Sequence, residues 1–267
     1  MRICTWNINS VRIRQEQVLR LMKDEKPDIL CLQETKVSND LFPRNLGASL
    51  GYSHQLIHGQ KSYNGIAILS KVPFLSSKTK YWCNNADCRH AWVSVEGPSQ
   101  TPIEIHNLYV PAGGDVPDPA VNDKFAYKLE FLAEMAAWLS ERRKKIGHSI
   151  LLGDFNIAPL ENDVWSHKQL LSVVSHTPIE IAALETLAES QNWIDAVRLF
   201  FPESEKLYSW WSYRAKEWAI SNKGRRLDHI WVTPLLEEFL QSAAIVRDIR
   251  GWTRPSDHAP VLIELMC

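Results

Sequence analysis

Several apolar runs in this chain end on a group that can do chemistry. Ile29-Leu30-Cys31-Leu32-Gln33 leads to Glu34, and Ile150-Leu151-Leu152-Gly153 leads to Asp154, Phe155 and Asn156. Arg226-Leu227 leads to Asp228, and Arg254-Pro255-Ser256 leads to Asp257-His258 before the last apolar run. Asn7 follows Trp6, and Tyr109 follows Leu108. Carboxylate and amide oxygens suit hard divalent cations, a free carboxylate can take a proton from water, and a carboxylate can orient and charge an imidazole. These are the groups that hydrolysis of a phosphate ester calls for: its negative charge repels nucleophiles and its alkoxide is a poor leaving group. A lone Asp after a strand is ordinarily a turn former or helix cap. His106 and His229 read as packed histidines, and Phe155 as core. The signal is the combination of LQET, GDFN and PSDHAP.

The groups must be carried by elements whose ends converge. Strands are expected at Ile3–Trp6, Ile29–Leu32, Gly65–Leu69, Ala91–Val95, Ile103–Leu108, Ser149–Leu152, Leu227–Val232 and Pro260–Leu265. Phe125, Leu129, Leu132, Ala136 and Leu139 recur at helical spacing and predict a helix over Asn122–Lys145, with Asn122 or Asp123 as its cap and Gly147 as its end. Further helices are expected from Val11 to Asp24 and near Ile179–Gln191, the latter after a cap and a proline in Ser175-His176-Thr177-Pro178. Mixed strands and helices on a chain of 267 residues predict an α/β sandwich, two sheets face to face with helices outside. No Pro/Gly/Ser stretch or charge block marks a linker, so a single domain over residues 1–267 is expected.

Composition narrows the partners. The net charge of −1 argues against a surface that grips polyanions everywhere. A local cluster of Lys206, Arg214, Lys216, Lys223, Arg225 and Arg226, set against Glu217 and Asp228, is the candidate polyanion site. Arg142-Arg143-Lys144-Lys145 reads as the cationic end of a helix. The five cysteines (Cys4, Cys31, Cys83, Cys88 and Cys267) are odd in number and scattered, which argues against a disulfide framework and fits a reducing cytoplasm. Cys83, Cys88 and His90 could be half of a zinc site, but no second ligand pair follows. No basic-then-apolar leader and no membrane-length apolar run is seen, so a soluble cytoplasmic monomer without membrane contact is expected.

WNINSVR, DILCLQETK, NGIAILSK, YVP, LLGDFNIAP, YSWWSYR, GRRLDHIWV and PSDHAPV resemble, in order and from Arg2 to Leu265, the pattern of exonuclease III-type abasic-site endonucleases. LQET, GDFN and SDH belong to the wider metal-dependent endonuclease, exonuclease and phosphatase superfamily; YSWWSYR followed by RLD points to its DNA-repair branch. The resemblance implies a four-layered α/β sandwich with two mixed β-sheets flanked by helices. It also implies a phosphodiesterase acting on double-stranded DNA, 5′ to abasic sites or at 3′ ends, with Mg²⁺ or Mn²⁺. Glu34 is the first choice of metal ligand, with Asn7 and Asp257 and the oxygens of Asp154 and Asn156 beside it. Asp154 is expected to be the base, with Asn156 orienting it, His258 a donor to phosphate, Asp228 its orienting carboxylate, and Tyr109 a contact to phosphate or an aid to the leaving group.

Trp210 and Leu227 match positions that line a pocket for a flipped base-free sugar, and Arg214 matches a loop that enters the duplex. Lys36, Arg89 and Lys124 are candidate phosphate contacts. One of Trp210 and Trp211 is expected to be ordinary core. Asn9 stands where animal relatives carry aspartate, Ala112-Gly113-Gly114 follows Pro111 where many place asparagine, and Arg225 falls near a position often aromatic. Two other readings remain: a phosphatase for inositol phosphates or another small phosphoester, which should lack the Trp-rich loop and basic cluster, and a DNA-binding relative with a dead centre, which should have lost Glu34, Asp154 or His258.

Overall fold

The computed structural model describes residues 1–143, 147–215 and 217–266, leaving aside the side chain of Ser99; Lys144, Lys145, Lys216 and Cys267, named above, lie outside the described residues. The strands are β1 Arg2–Asn7, β2 Ile29–Gln33, β3 His54–His58, β4 Ile66–Ser70, β5 Phe74–Trp82, β6 Asn85–Glu96 and β7 Pro102–Tyr109. They continue with β8 His148–Asp154, β9 Ile194–Asp195, β10 Trp210–Trp211, β11 Gly224–Arg225, β12 Asp228–Val232, β13 Leu240–Ile245 and β14 Val261–Leu265. The helices are α1 Gln15–Asp24, α2 Asp123–Arg142, α3 His167–Leu170, α4 Pro178–Glu189 and α5 Trp218–Ser221. Among the described residues the strands form two six-stranded sheets, ordered β13-β14-β1-β2-β4-β3 and β5-β6-β7-β8-β12-β9, and a short β10-β11 hairpin. Both sheets are mixed: β1–β2 and β7–β8 are parallel, whereas β1–β14 and β8–β12 are antiparallel.

Side-chain alternation explains the layers. Ile3, Ile29, Cys31 and Ile263 of the first sheet meet Val93, Ile105, Ile150, Leu152 and Ile230 of the second in a core between the sheets. The alternate residues Cys4, Trp6, Leu30 and Leu32 pack outward on Val18, Leu21 and Met22 of α1. Leu108, Leu151 and Trp231 pack outward on Phe131, Met135 and Leu139 of α2 and on Leu184 and Leu187 of α4. Central strands buried on both faces read as unbroken apolar runs, which is why they are visible in the sequence. The edge strands β3, β5 and β13 are not: they are half exposed and carry residues such as Lys78, Lys80 and Gln241 that keep a sheet edge from pairing further.

Helix α1 begins at Gln15, not at Val11. Asn9 and Ser10 have positive φ, and the Arg14 guanidinium donates to the carbonyls of Ile8 and Asn9, to Arg254 O at 3.0 Å and to Tyr213 OH at 2.8 Å, so the segment is a tethered turn. Asn122 caps α2, its side chain accepting from Lys124 N. Thr177 and Glu180 cap the start of α4 reciprocally. Gly153 is required by sheet packing: at φ +140 a Cβ would stand 1.9 Å from the carbonyl oxygen of Leu108 on β7.

Candidate active site

The alternation that builds the core also builds the site. On β1, Ile3 and Thr5 face the other sheet, and Asn7 ends the row. On β8 the row is Ile150, Leu152, Asp154; on β12 it is Val232, Ile230, Asp228. Each apolar row thus ends in a polar group at one rim of the sandwich. A polar layer separates the two: Gln33 Nε2 donates to Thr5 Oγ1 at 2.9 Å and to Asn107 Oδ1 at 2.7 Å, and Asn107 Nδ2 donates to Leu32 O and Ala67 O. Asn107 is fully buried, and its hydrogen bonds tie the sheets together directly beneath the rim.

On that layer sits a buried chain of donors and acceptors. His258 Nδ1 donates to Asp228 Oδ2 at 2.9 Å, and its Nε2 lies 3.7 Å from Asp154 Oδ2. Asn7 Nδ2 bridges Asp154 Oδ2 at 2.8 Å and Glu34 Oε1 at 2.9 Å. Asn156 follows Asp154 in an αL turn, with its N–H on Asp154 Oδ1 at 2.9 Å and its amide donating to Val110 O and Asp154 Oδ2. Glu34 also has positive φ, which swings its carboxylate off the end of β2 into the cleft.

The charges follow from this packing. Burial disfavours a charged His258, but Asp228 and Asp154 outweigh it and hold the imidazolium up to about 10. Burial raises Asp154 to about 7, with Asp228 adding and His258 opposing. Burial works against the Glu34 charge too, yet the Lys36 ammonium and the Asn7 amide keep its carboxyl below the ordinary range. Tyr109 is pushed far up by burial and then by Glu34 and Asp154, so its phenol stays protonated.

Asp154, Asp228 and His258 are the one group of potential metal-binding side chains among the described residues whose ligand atoms lie within 4.8 Å of one another. A protonated His258 has no lone pair to offer, which leaves the carboxylates. Glu34 and Asp257 are outside that tight group. Lys36 Nζ is 2.7 Å from Glu34 Oε2 and 2.5 Å from Asn9 Oδ1, a single positive charge set among oxygens. Asp257 accepts from Asn9 Nδ2 at 3.0 Å and from Trp210 Nε1 at 2.9 Å, and burial, opposed by His258 and these donors, leaves its carboxyl below the ordinary range. The donor set fits an oxygen-seeking dication.

The site floors a cleft of about 730 Å³, walled by Trp210, Leu227, Val174, Trp165, Arg214 and Arg225. A second cleft of about 810 Å³, with Arg89, Lys124 and Tyr63 on its walls, shares Tyr109, Ala112 and Gly114 with it, so the two meet at the catalytic rim. Arg89 is tied to Asp87 and stacks over the Tyr109 ring, 4.8 Å from its centroid. Arg214 and Lys124 are exposed. Trp211 is the core member of its pair, its indole donating to Asn222 Oδ1, while Trp210 faces the cleft. His229 and His106 are buried. Cys83, Cys88 and His90 form no metal-binding group among the described residues.

Sequence reasoning missed the supports. Besides Gln33 and Asn107, Ser209 Oγ accepts from the backbone N–H of both Leu227 and Asp228 at 3.0 Å. Ser256 Oγ donates to Asn7 O at 2.6 Å. Lys128, wholly buried, donates to Asn156 O at 2.8 Å and pairs with Glu180. For Gln33, Asn107 and Lys128 the only signal was a polar residue at an inward position of an apolar pattern; Ser209 and Ser256 lie in loops and gave none.

The model of the endonuclease/exonuclease/phosphatase family matches residues 4–258. The chain is 31% identical over 271 residues to exodeoxyribonuclease III of Haemophilus influenzae, covering 99% of each chain. It is 29% identical to an exodeoxyribonuclease of Bacillus subtilis, covering 98% of each. Among solved structures, a Neisseria 3′-phosphatase bound to a product DNA hairpin superposes with a TM-score of 0.90 at 31% identity over 100% of each chain. An AP endonuclease from Archaeoglobus fulgidus superposes at 0.89 and 30% identity over 99% of each.

Proposed function

Because the chain belongs to the endonuclease/exonuclease/phosphatase family, we propose that it is a DNA-repair phosphodiesterase, acting 5′ to abasic sites and at blocked or recessed 3′ ends of double-stranded DNA. The observation that carries this reading is the buried Asp228–His258–Asp154 chain, whose His258 reaches a cleft walled by Trp210, Leu227 and cations. The relatives named for exodeoxyribonuclease and AP endonuclease activity support it.

Each residue has a task that its surroundings suit. The phosphate rests against the His258 imidazolium, whose charge and Nε2–H complement the growing charge on its oxygens. Asp228 holds the other ring nitrogen and so fixes the ring's direction. Asp154 takes the proton of the attacking water; burial has raised its basicity towards the working pH. Asn156 and Asn7 lock the Asp154 carboxylate in place. Tyr109, kept protonated, donates to the phosphate beside the departing oxygen. A Mg²⁺ or Mn²⁺ ion held by Glu34, with Asp257 and Asn7 directly or through water, would neutralise phosphate charge. Lys36, Arg89 and Lys124 are suited to grip the backbone along the second cleft, and Arg214 the duplex beside the first. One copy of the chain carries the whole set, which is consistent with action as a monomer. Among the described residues no helix is long and apolar enough to cross a membrane; a cytoplasmic location is part of the proposal.

Three duplexes test this, carrying an internal abasic site, a recessed 3′ end or a 3′-phosphate, each with Mg²⁺, Mn²⁺ or EDTA. Metal-dependent cleavage of at least one supports the reading. Turnover of small phosphoesters with none of the duplexes touched overturns it.

A further inference from the structure

One wall of the cleft carries an arginine that makes no ion pair among the described residues; the carboxylate acting on it, Glu180, is itself paired with Lys128. Arg225 lies on β11 opposite Trp210 in the hairpin register, with its guanidinium 5.3 Å from the centre of the Trp210 ring. Its Nη1 donates to Val174 O at 2.9 Å and to Ser175 Oγ at 2.6 Å. Its Nε and Nη2 donate to no protein atom among the described residues, and no described carboxylate lies within ion-pair distance of it. Its Nη1 and one ring face are therefore held by the protein, and the residue lines the cleft. The charged groups that share the cleft are Glu34, Asp115, Arg214, Lys223, Asp257 and His258. Trp210 links the arginine to the reacting centre: its ring lies under the guanidinium while its Nε1 holds Asp257, the neighbour of His258.

An apolar pocket for a base-free sugar would be better walled by a hydrocarbon. A fixed guanidinium with unspent donors suits a phosphate, and a phosphomonoester more than a diester. A monoester carries about −1.5 to −2 charge at neutral pH and three oxygens free to accept, against a single charge on a diester. In a diester the outer position is taken by the continuing sugar; in a terminal 3′-phosphate it is taken by a charged oxygen. We propose that Arg225 is a specificity-determining residue that makes this cleft a subsite for the 3′-terminal phosphomonoester of DNA, and for the inorganic phosphate released from it. The assignment rests on the nuclease reading above and adds which 3′ group the site favours. Water attacks phosphorus, the bond from phosphorus to the 3′ oxygen breaks, that oxygen leaves as a hydroxyl, and phosphate departs past Arg225.

The test compares wild type, Arg225→Leu and Arg225→Lys on matched duplexes with a 3′-phosphate or an internal abasic site. In Arg225→Leu the ratio of phosphate release to abasic incision (each as kcat/KM) should fall roughly 10- to 100-fold, the scale of lost hydrogen bonds to a charged group. Arg225→Lys should restore part of the ratio. Calorimetric titration of the protein with inorganic phosphate alone should show tighter binding to wild type than to Arg225→Leu. Equal losses on both substrates in a folded variant, or unchanged phosphate affinity, overturns the assignment. If wild type cleaves neither duplex, the nuclease reading fails, and the phosphate titration still decides the role of Arg225.

Discussion

Asp163→Asn should destabilise the protein strongly and act on the catalytic cleft only indirectly, through the segment that carries Asp228. Asp163 is fully buried and accepts a two-pronged bond from Arg226, Nε at 2.7 Å on Oδ1 and Nη2 at 2.9 Å on Oδ2. Arg198 adds a bond to Oδ1 at 2.5 Å, and the third arm of Arg226 reaches Asp195 Oδ2 at 2.6 Å. The amide removes the central negative charge and turns at least one acceptor into a donor facing a guanidinium. Breaking a buried pair in this way costs about 3–5 kcal/mol. With an unfolding entropy of ~2.1 cal/mol/K per residue, a chain of 267 residues has a total near 0.56 kcal/mol/K, so the melting temperature should fall by about 5–9 °C. Burial opposes ionisation of Asp163, but Arg226 and Arg198 outweigh it and hold its folded pKa below the ordinary value. Its contribution is therefore present above the unfolded pKa and is lost as pH falls through the folded one, so wild type and variant should converge in stability at strongly acid pH. Arg226 precedes Leu227 and Asp228, and its N–H donates to Asp163 O at 2.7 Å, so the damage should reach the position of Asp228 and lower kcat more than it raises KM. Urea melts between pH 3 and 8, with kcat measured at pH 7.5 on an abasic duplex, test this. A variant within about 0.5 kcal/mol of wild type at neutral pH would refute the reasoning.

Four further outcomes are expected. Glu34→Ala should raise the metal concentration needed for half-maximal rate, with activity lost in EDTA and restored by Mg²⁺ or Mn²⁺; an unchanged metal titration removes Glu34 from the ligand set. Asp154→Asn and His258→Ala should each lower kcat by roughly 10²–10⁴ with a smaller effect on duplex affinity, and near-wild-type turnover in either overturns its role. Trp210→Ala should weaken the preference for an abasic site over an intact nucleotide, read as the ratio of cleavage rates, whereas Arg214→Ala should weaken binding to all duplexes and reduce the salt slope by about one. His229 is held down to about 4 by burial, with its Nε2–H on Ile157 O, and His90 and His106 are lowered by burial as well. Their contribution is present above the unfolded value and lost as pH falls through the folded ones, so His229→Gln should flatten the stability loss between pH 6 and 4 seen in calorimetry.

The core strands were legible because each is buried on both faces: Ile29–Leu32, Ile150–Leu152 and Ile230–Val232 leave unbroken apolar traces in the chain. The residue types at their ends were legible too, since Glu34, Asp154 and Asp228 each break such a run. The helix over Asp123–Arg142 followed from its period and its Asn122 cap. Edge strands β3, β5 and β13 were not legible, because one exposed side lets polar residues in and dissolves the pattern.

What only the tertiary structure decided is which groups meet. Asn7 and Asp154 are 147 positions apart in the chain, yet they share a hydrogen bond because β1 and β8 face each other across the two sheets. The tight carboxylate–imidazole group proved to be Asp154, Asp228 and His258, while Glu34, swung into the cleft by a left-handed turn after β2, took Lys36 and Asn7 as its neighbours. Arg225 read as one of six clustered cations. Folding separates it from Arg226, its neighbour in sequence: the Arg226 guanidinium is neutralised by Asp163 and Asp195, whereas that of Arg225 lines the cleft, held by Val174 O and Ser175 Oγ with no ion-pair partner among the described residues. Arg225 ends β11 and Arg226 lies in the two-residue link to β12, bound through its N–H to Asp163 O, so a cluster in sequence becomes two environments in space.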